Sequence, residues 1–130
     1  EHKHIIIRAE VLDPPRAEEP TSELVRNLIN EIGMKIMMGP YAARSEMVGN
    51  AGLTVATIIE TSHVVLHTWD EVSPALMQFD VYTCSHLDPT IVFNWLEQFK
   101  PIKIDHKYID REFKLDIKRK KFKLFAKEII

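Results

Sequence analysis

Hydrophobic and polar positions along the chain fall into alternating short periods. β-Branched density from about residue 4 to 11, inside "HKHIIIRAEVL", predicts a first strand, and the proline-rich acidic stretch "DPPRAEEP" ends it. "TSELVRNLINEIG" changes period: Leu24, Val25, Leu28, Ile29 and Ile32 fall on one helical stripe, Thr21 and Ser22 are capping candidates, and Gly33 stops the run. "MKIMMGPY" reads as a short strand, and "AARSEMVGN" as a polar connection. Three strands then follow in succession, over Leu53 to Glu60, Ser62 to Thr68 and 76–84, predicting a meander. "LDPTIVFNWLEQFKP" opens on an Asp N-cap followed by proline and places Val92, Trp95, Leu96 and Phe99 on one face, giving a second helix. "IKIDHKYIDREFKLDI" alternates with Ile102, Ile104, His106 and Tyr108 on one side, predicting one long strand.

The order β-α-β-β-β-β-α-β predicts an α+β fold: a two-layer sandwich in which both helices cover one face of a mainly antiparallel sheet. The other face needs cover, so a homodimer is expected. At 130 residues and 45% hydrophobic content, residues 1–130 fit one domain with a real core. No apolar run reaches the roughly 18–20 residues that cross a bilayer, and the opening residues lack a signal-peptide pattern, so a cytoplasmic protein without membrane contact is expected.

Charge is unevenly spread. Residues 101–130 hold 10 Lys/Arg against 5 Asp/Glu, while the first hundred residues are acidic. The run "KRKKFKLFAK" is read as a solvated tail or strand edge rather than a nucleic-acid contact, because no aromatic and basic interleaving of a known module accompanies it.

Candidate chemistry concentrates between residues 58 and 84. Ser62 and Cys84 are nucleophile types, His63 and His67 are possible bases, and Glu60, Asp70, Glu71 and Asp80 are carboxylates. Glycine-elbow and phosphate-loop patterns are missing. The single cysteine rules out an internal disulfide and any Cys-rich zinc site, leaving Cys84 as a buried small hydrophobe or a chemical group. His63 and His67 share a strand parity, so a zinc trio completed by Cys84 can be drawn, but its spacing is a weak signal and no metal is expected. Ser62 and His67 lie five residues apart, which in a straight strand turns them to opposite faces.

The strings "TSHVVLHTWDE" and "FDVYTC" resemble the prokaryotic S-adenosylmethionine decarboxylase proenzymes, whose hallmark reads E-S-H-x-x-x-H-T-W-P-E followed by a D-V-[FY]-T-C strand. The resemblance implies a proenzyme that cuts its own backbone between Thr61 and Ser62. The serine hydroxyl attacks the preceding carbonyl, an ester replaces the amide, and β-elimination leaves a covalent pyruvoyl group derived from Ser62. It further implies His67 as the processing base, Thr54 as the hydroxyl assisting cleavage, Cys84 as the acid that protonates carbon after carbon dioxide leaves, Glu71 as the ligand of the ribose diol and Trp69 as a pocket wall. S-adenosylmethionine is the implied substrate, and its decarboxylated product would feed spermidine synthesis. Thr61 stands where the family has glutamate, Asp70 where it has proline, and the stretch from Trp69 to Cys84 is slightly longer. Two alternatives remain open at this point: a pyruvoyl decarboxylase of another amino acid such as arginine or ornithine, and an uncleaved relative serving as a ligand-binding or partner subunit.

Overall fold

A computed structural model describes residues 1–119. Strands β1 (Lys3–Val11), β2 (Ile36–Ser45), β3 (Gly52–Ile59), β4 (Ser62–Trp69), β5 (Ala75–Thr83), β6 (Pro101–Asp110) and β7 (Asp116–Lys118) form one sheet, ordered β2-β3-β4-β5-β1-β6-β7. Every neighbouring pair is antiparallel. Helices α1 (Glu18–Glu31) and α2 (Pro89–Leu96), the latter extended by a 3-10 turn at Glu97–Phe99, complete the α+β sandwich that the element order predicted.

Strand alternation decides which face is covered. Ile5, Ile7 and Ala9 of β1, Val64 and Leu66 of β4, and Met77, Phe79 and Val81 of β5 are buried in one core with Val25, Leu28 and Ile29 of α1 and Val92, Phe93 and Leu96 of α2. Trp95 stacks on Phe79 with ring centroids 5.1 Å apart and donates its indole N–H to the Leu24 carbonyl, tying α2 to both the sheet and α1. Truncating Phe79 to alanine would cost about 3–5 kcal/mol. Residues of the opposite parity, including Ile6, Arg8, Gln78 and Ile58, are exposed, so among the described residues the second sheet face is open as anticipated.

The sequence reading needs four corrections. Helix α1 starts three residues early, after Ala17, and Thr21 and Ser22 do not cap it; their hydroxyls bond back to the carbonyls of Ala17 and Glu18 within the first turn. Residues 42–45, expected as a loop, continue β2, because the pairing from Tyr41↔Ala56 to Ser45↔Gly52 persists after two register shifts. Helix α2 closes in the 3-10 turn, and Lys100 takes a left-handed conformation (φ 54°) that redirects the chain into β6. The long final strand is a hairpin: β6 ends at Asp110, and β7 returns along it through Tyr108↔Lys118 and Asp110↔Asp116. Of the basic run, only Lys118 and Arg119 are described.

Candidate active site

The β3–β4 hairpin closes through the pair Ile59↔Ser62, leaving Glu60 and Thr61 as its turn. Thr61 has φ 50°, a left-handed conformation costing a β-branched residue roughly 1–2 kcal/mol. Ser62 is buried at 9% exposure, and its Oγ donates to the Glu60 carbonyl at 2.8 Å. Cys84 follows the end of β5, and its Sγ donates to that same carbonyl at 3.0 Å. One backbone oxygen therefore gathers the serine, the thiol and the strained turn.

A second pair lies farther along β4. The hairpin register sets Thr54 opposite His67, and Thr54 Oγ1 lies 2.8 Å from His67 Nδ1. Both residues border a cavity of about 320 Å³ whose wall includes Arg44, Asn50 and Trp69. Trp69 is half-buried on the wall and fixed by an indole N–H donated to Asn50 Oδ1 at 2.8 Å. His67 also reaches a second cavity of about 260 Å³, beside Val65, Gln78 and Arg8 on the open face.

The two pairs stay apart within one chain. β4 pairs without a bulge to β3 and to β5, and its burial alternates residue by residue. Ser62 therefore faces the helices while His67 faces the open side, and five residues at about 3.3 Å each separate them by roughly 16 Å along the strand. The zinc trio is not assembled either. His63 and His67 are four residues apart, Cys84 is engaged at the hairpin, and among the described residues the one group with metal-ligand proximity is His4, His63 and Asp80.

Glu71 is exposed, and its two oxygens accept the backbone N–H groups of Gly49 and Ala51 at 3.0 and 3.1 Å. Those two bonds hold its carboxyl below the usual range. Asp70, 7% exposed, is gripped by Arg44 through two bonds of 2.7 and 2.9 Å, with Arg16 at 3.3 Å. The Arg44 bonds depress the Asp70 carboxyl and raise the guanidinium above its ordinary value. Trp69 and Glu71 thus fasten the β2–β3 connection at Asn50, Gly49 and Ala51, and Asp70 holds the end of β2 through Arg44. Sequence reasoning missed Arg44 and Asp70 as a pair; an acidic residue in place of the expected proline was the available signal.

A sequence profile described as S-adenosylmethionine decarboxylase matches residues 3–112. The S-adenosylmethionine decarboxylase proenzyme of Pyrobaculum islandicum is 42% identical over 64 residues, covering 48% of this chain and 50% of that protein. The chain thus spans about half the length of that relative. The arginine decarboxylase proenzyme of Aeropyrum pernix is 32% identical over 101 residues, 75% of either chain. The S-adenosylmethionine decarboxylase proenzyme of Archaeoglobus fulgidus is 30% identical over 92 residues, 68% of this chain and 80% of that one.

Proposed function

Because this chain belongs to the S-adenosylmethionine decarboxylase family, we propose that it is a proenzyme that cleaves its own Thr61–Ser62 bond and then decarboxylates S-adenosylmethionine. The observation carrying this reading is the Glu60 carbonyl, where the precursor serine and the proton-donating thiol meet beside a left-handed threonine. Precursor and acid must converge on one point for the chemistry to follow. Burial keeps water from intercepting the hydroxyl, and the hairpin holds it one residue upstream of the carbonyl it attacks, so rotation about the serine χ1 starts the reaction.

The residues fit a pyruvoyl group made at position 62, which supplies an electron sink for loss of the substrate carboxylate. Cys84 holds the proton that returns to carbon. Thr54 orients the His67 ring through the bond at Nδ1, leaving Nε2 for proton transfer. Since a regular strand keeps His67 about 16 Å from Ser62, we assign the two pairs to opposite copies of a homodimer.

A second substrate reading is arginine. It is favoured by the Aeropyrum relative and by Glu71, whose oxygens already accept two backbone N–H groups and so compete with a ribose diol.

Intact-mass measurement tests the cleavage. Two fragments, 1–61 and 62–130, with the second sensitive to hydride or amine reagents and neither formed by Ser62→Ala, support it. A single unbroken mass after prolonged incubation identifies an uncleaved binding or partner subunit instead. Carbon dioxide release from S-adenosylmethionine and arginine, assayed side by side, separates the substrates. Co-expressing His67→Ala with Ser62→Ala tests the dimer: the His67→Ala chain is cut only if its partner lends the imidazole.

A further inference from the structure

On the open face, beside the cavity that His67 and Asp80 both line, three strands bring His4, Tyr82 and His63 abreast, because Tyr82 of β5 pairs with His4 of β1 on one side and His63 of β4 on the other. Asp80 lies two residues back along β5 on the same face. His4 Nε2 hydrogen-bonds Asp80 Oδ1, and His63 Nε2 stands 3.7 Å from that oxygen. One ligand atom from each residue lies within 4.8 Å of the others. Zinc bonds of about 2.1 Å place tetrahedral ligand atoms roughly 3.4 Å apart. Closing the gap requires only small torsions of His63 and Asp80, whose side chains are each 41% exposed, while His4 is buried and fixed.

We propose that His4, His63 and Asp80 form a binding site for a divalent transition-metal ion of the zinc class, with water completing its shell. Two imidazoles and one carboxylate suit such an ion better than magnesium or calcium, which favour all-oxygen shells.

The surroundings make the proposal specific. Arg111 NH1 lies 3.2 Å from His4 Nδ1. A guanidinium can only donate, so in the metal-free protein Nδ1 accepts and the His4 proton sits on Nε2, directed at Asp80. Binding displaces that proton, and a zinc-bound His4 carries its proton on Nδ1, where Arg111 then opposes it. Arg111 has another seat already, since its guanidinium carbon lies 4.1 Å from the Tyr82 ring centroid. Arg111 therefore weakens the site without abolishing it.

One consequence rests on the cleavage proposed above: His4 would belong to fragment 1–61, and His63 and Asp80 to fragment 62–130, so the ion would staple the two fragments. The binding itself does not depend on cleavage.

Zinc titration against a chromogenic chelator, on the uncut Ser62→Ala chain, tests the site. We expect one ion per chain whose affinity falls at least tenfold in both His63→Ala and Asp80→Asn, with unchanged thermal melts. Arg111→Gln, which offers Nδ1–H an acceptor, is expected to tighten binding about tenfold. Cobalt(II) in place of zinc should show a visible ligand-field band that His63→Ala abolishes. Equal affinity across these variants, retention in Asp80→Asn, or weaker binding by Arg111→Gln would overturn the proposal. In a processed sample zinc should also raise the urea concentration that separates the fragments; its failure there with binding intact rejects the staple alone.

Discussion

Replacing Asp70 by asparagine removes a charge from a site that water scarcely reaches, leaving the Arg44 guanidinium without its two-pronged acceptor. Stripping one partner from a buried pair costs about 3–5 kcal/mol. Arg44 is 23% exposed in its side chain and keeps Glu46 on its Nε at 2.6 Å, while asparagine retains one acceptor oxygen. Scaled for these, the loss should be about 2 kcal/mol at pH 7. The pH dependence identifies its source. The Asp70 carboxyl is depressed in the folded protein, chiefly by the Arg44 hydrogen bond. Its contribution is complete above the unfolded-state value of about 3.9 and is lost as pH falls through the lower folded-state value. Urea denaturation of the wild type and Asp70→Asn, both in the uncut Ser62→Ala background, should therefore show a gap at pH 7 that narrows below about pH 4. A gap under about 0.5 kcal/mol, or one undiminished at low pH, would refute the assignment of this pair as the clasp on the end of β2.

Two further substitutions bear on the site and its frame. Cys84→Ala should cleave normally yet lose roughly 10²–10⁴-fold in decarboxylation measured by carbon dioxide release; untouched turnover would remove the thiol from its proton-donor role. Gly52→Ala should destabilise the chain by about 3 kcal/mol or more in denaturant titrations, since its Cβ would meet the Thr68 carbonyl oxygen at 1.8 Å.

Local periodicity carried most of the architecture, and what it missed has a physical cause in each case. The hairpin at Glu60–Thr61 could be placed from two flanking apolar runs, and once the turn is set, register alone puts Thr54 opposite His67. The parity of Ser62 and His67 was likewise legible, and the unbulged β4 keeps that separation. Alternation could not show that β6 stops at Asp110, because β7 repeats the pattern after a turn containing neither proline nor glycine. Nor could it place Cys84 against Glu60, a contact made beyond the end of β5 and 24 positions along the chain. The Asp70 to Arg44 clasp joins residues 26 positions apart, a contact that no local pattern encodes.

The order of strands governs what a broken backbone would do. A nick between Thr61 and Ser62 leaves β1, β2 and β3 in one piece and β4 to β7 in the other, yet β1 lies between β5 and β6, hydrogen-bonded to both. The pieces interleave like fingers of folded hands, so scission frees two new chain ends without freeing either half. Parting them requires unzipping three ladders together, β3 from β4 and β1 from both of its neighbours.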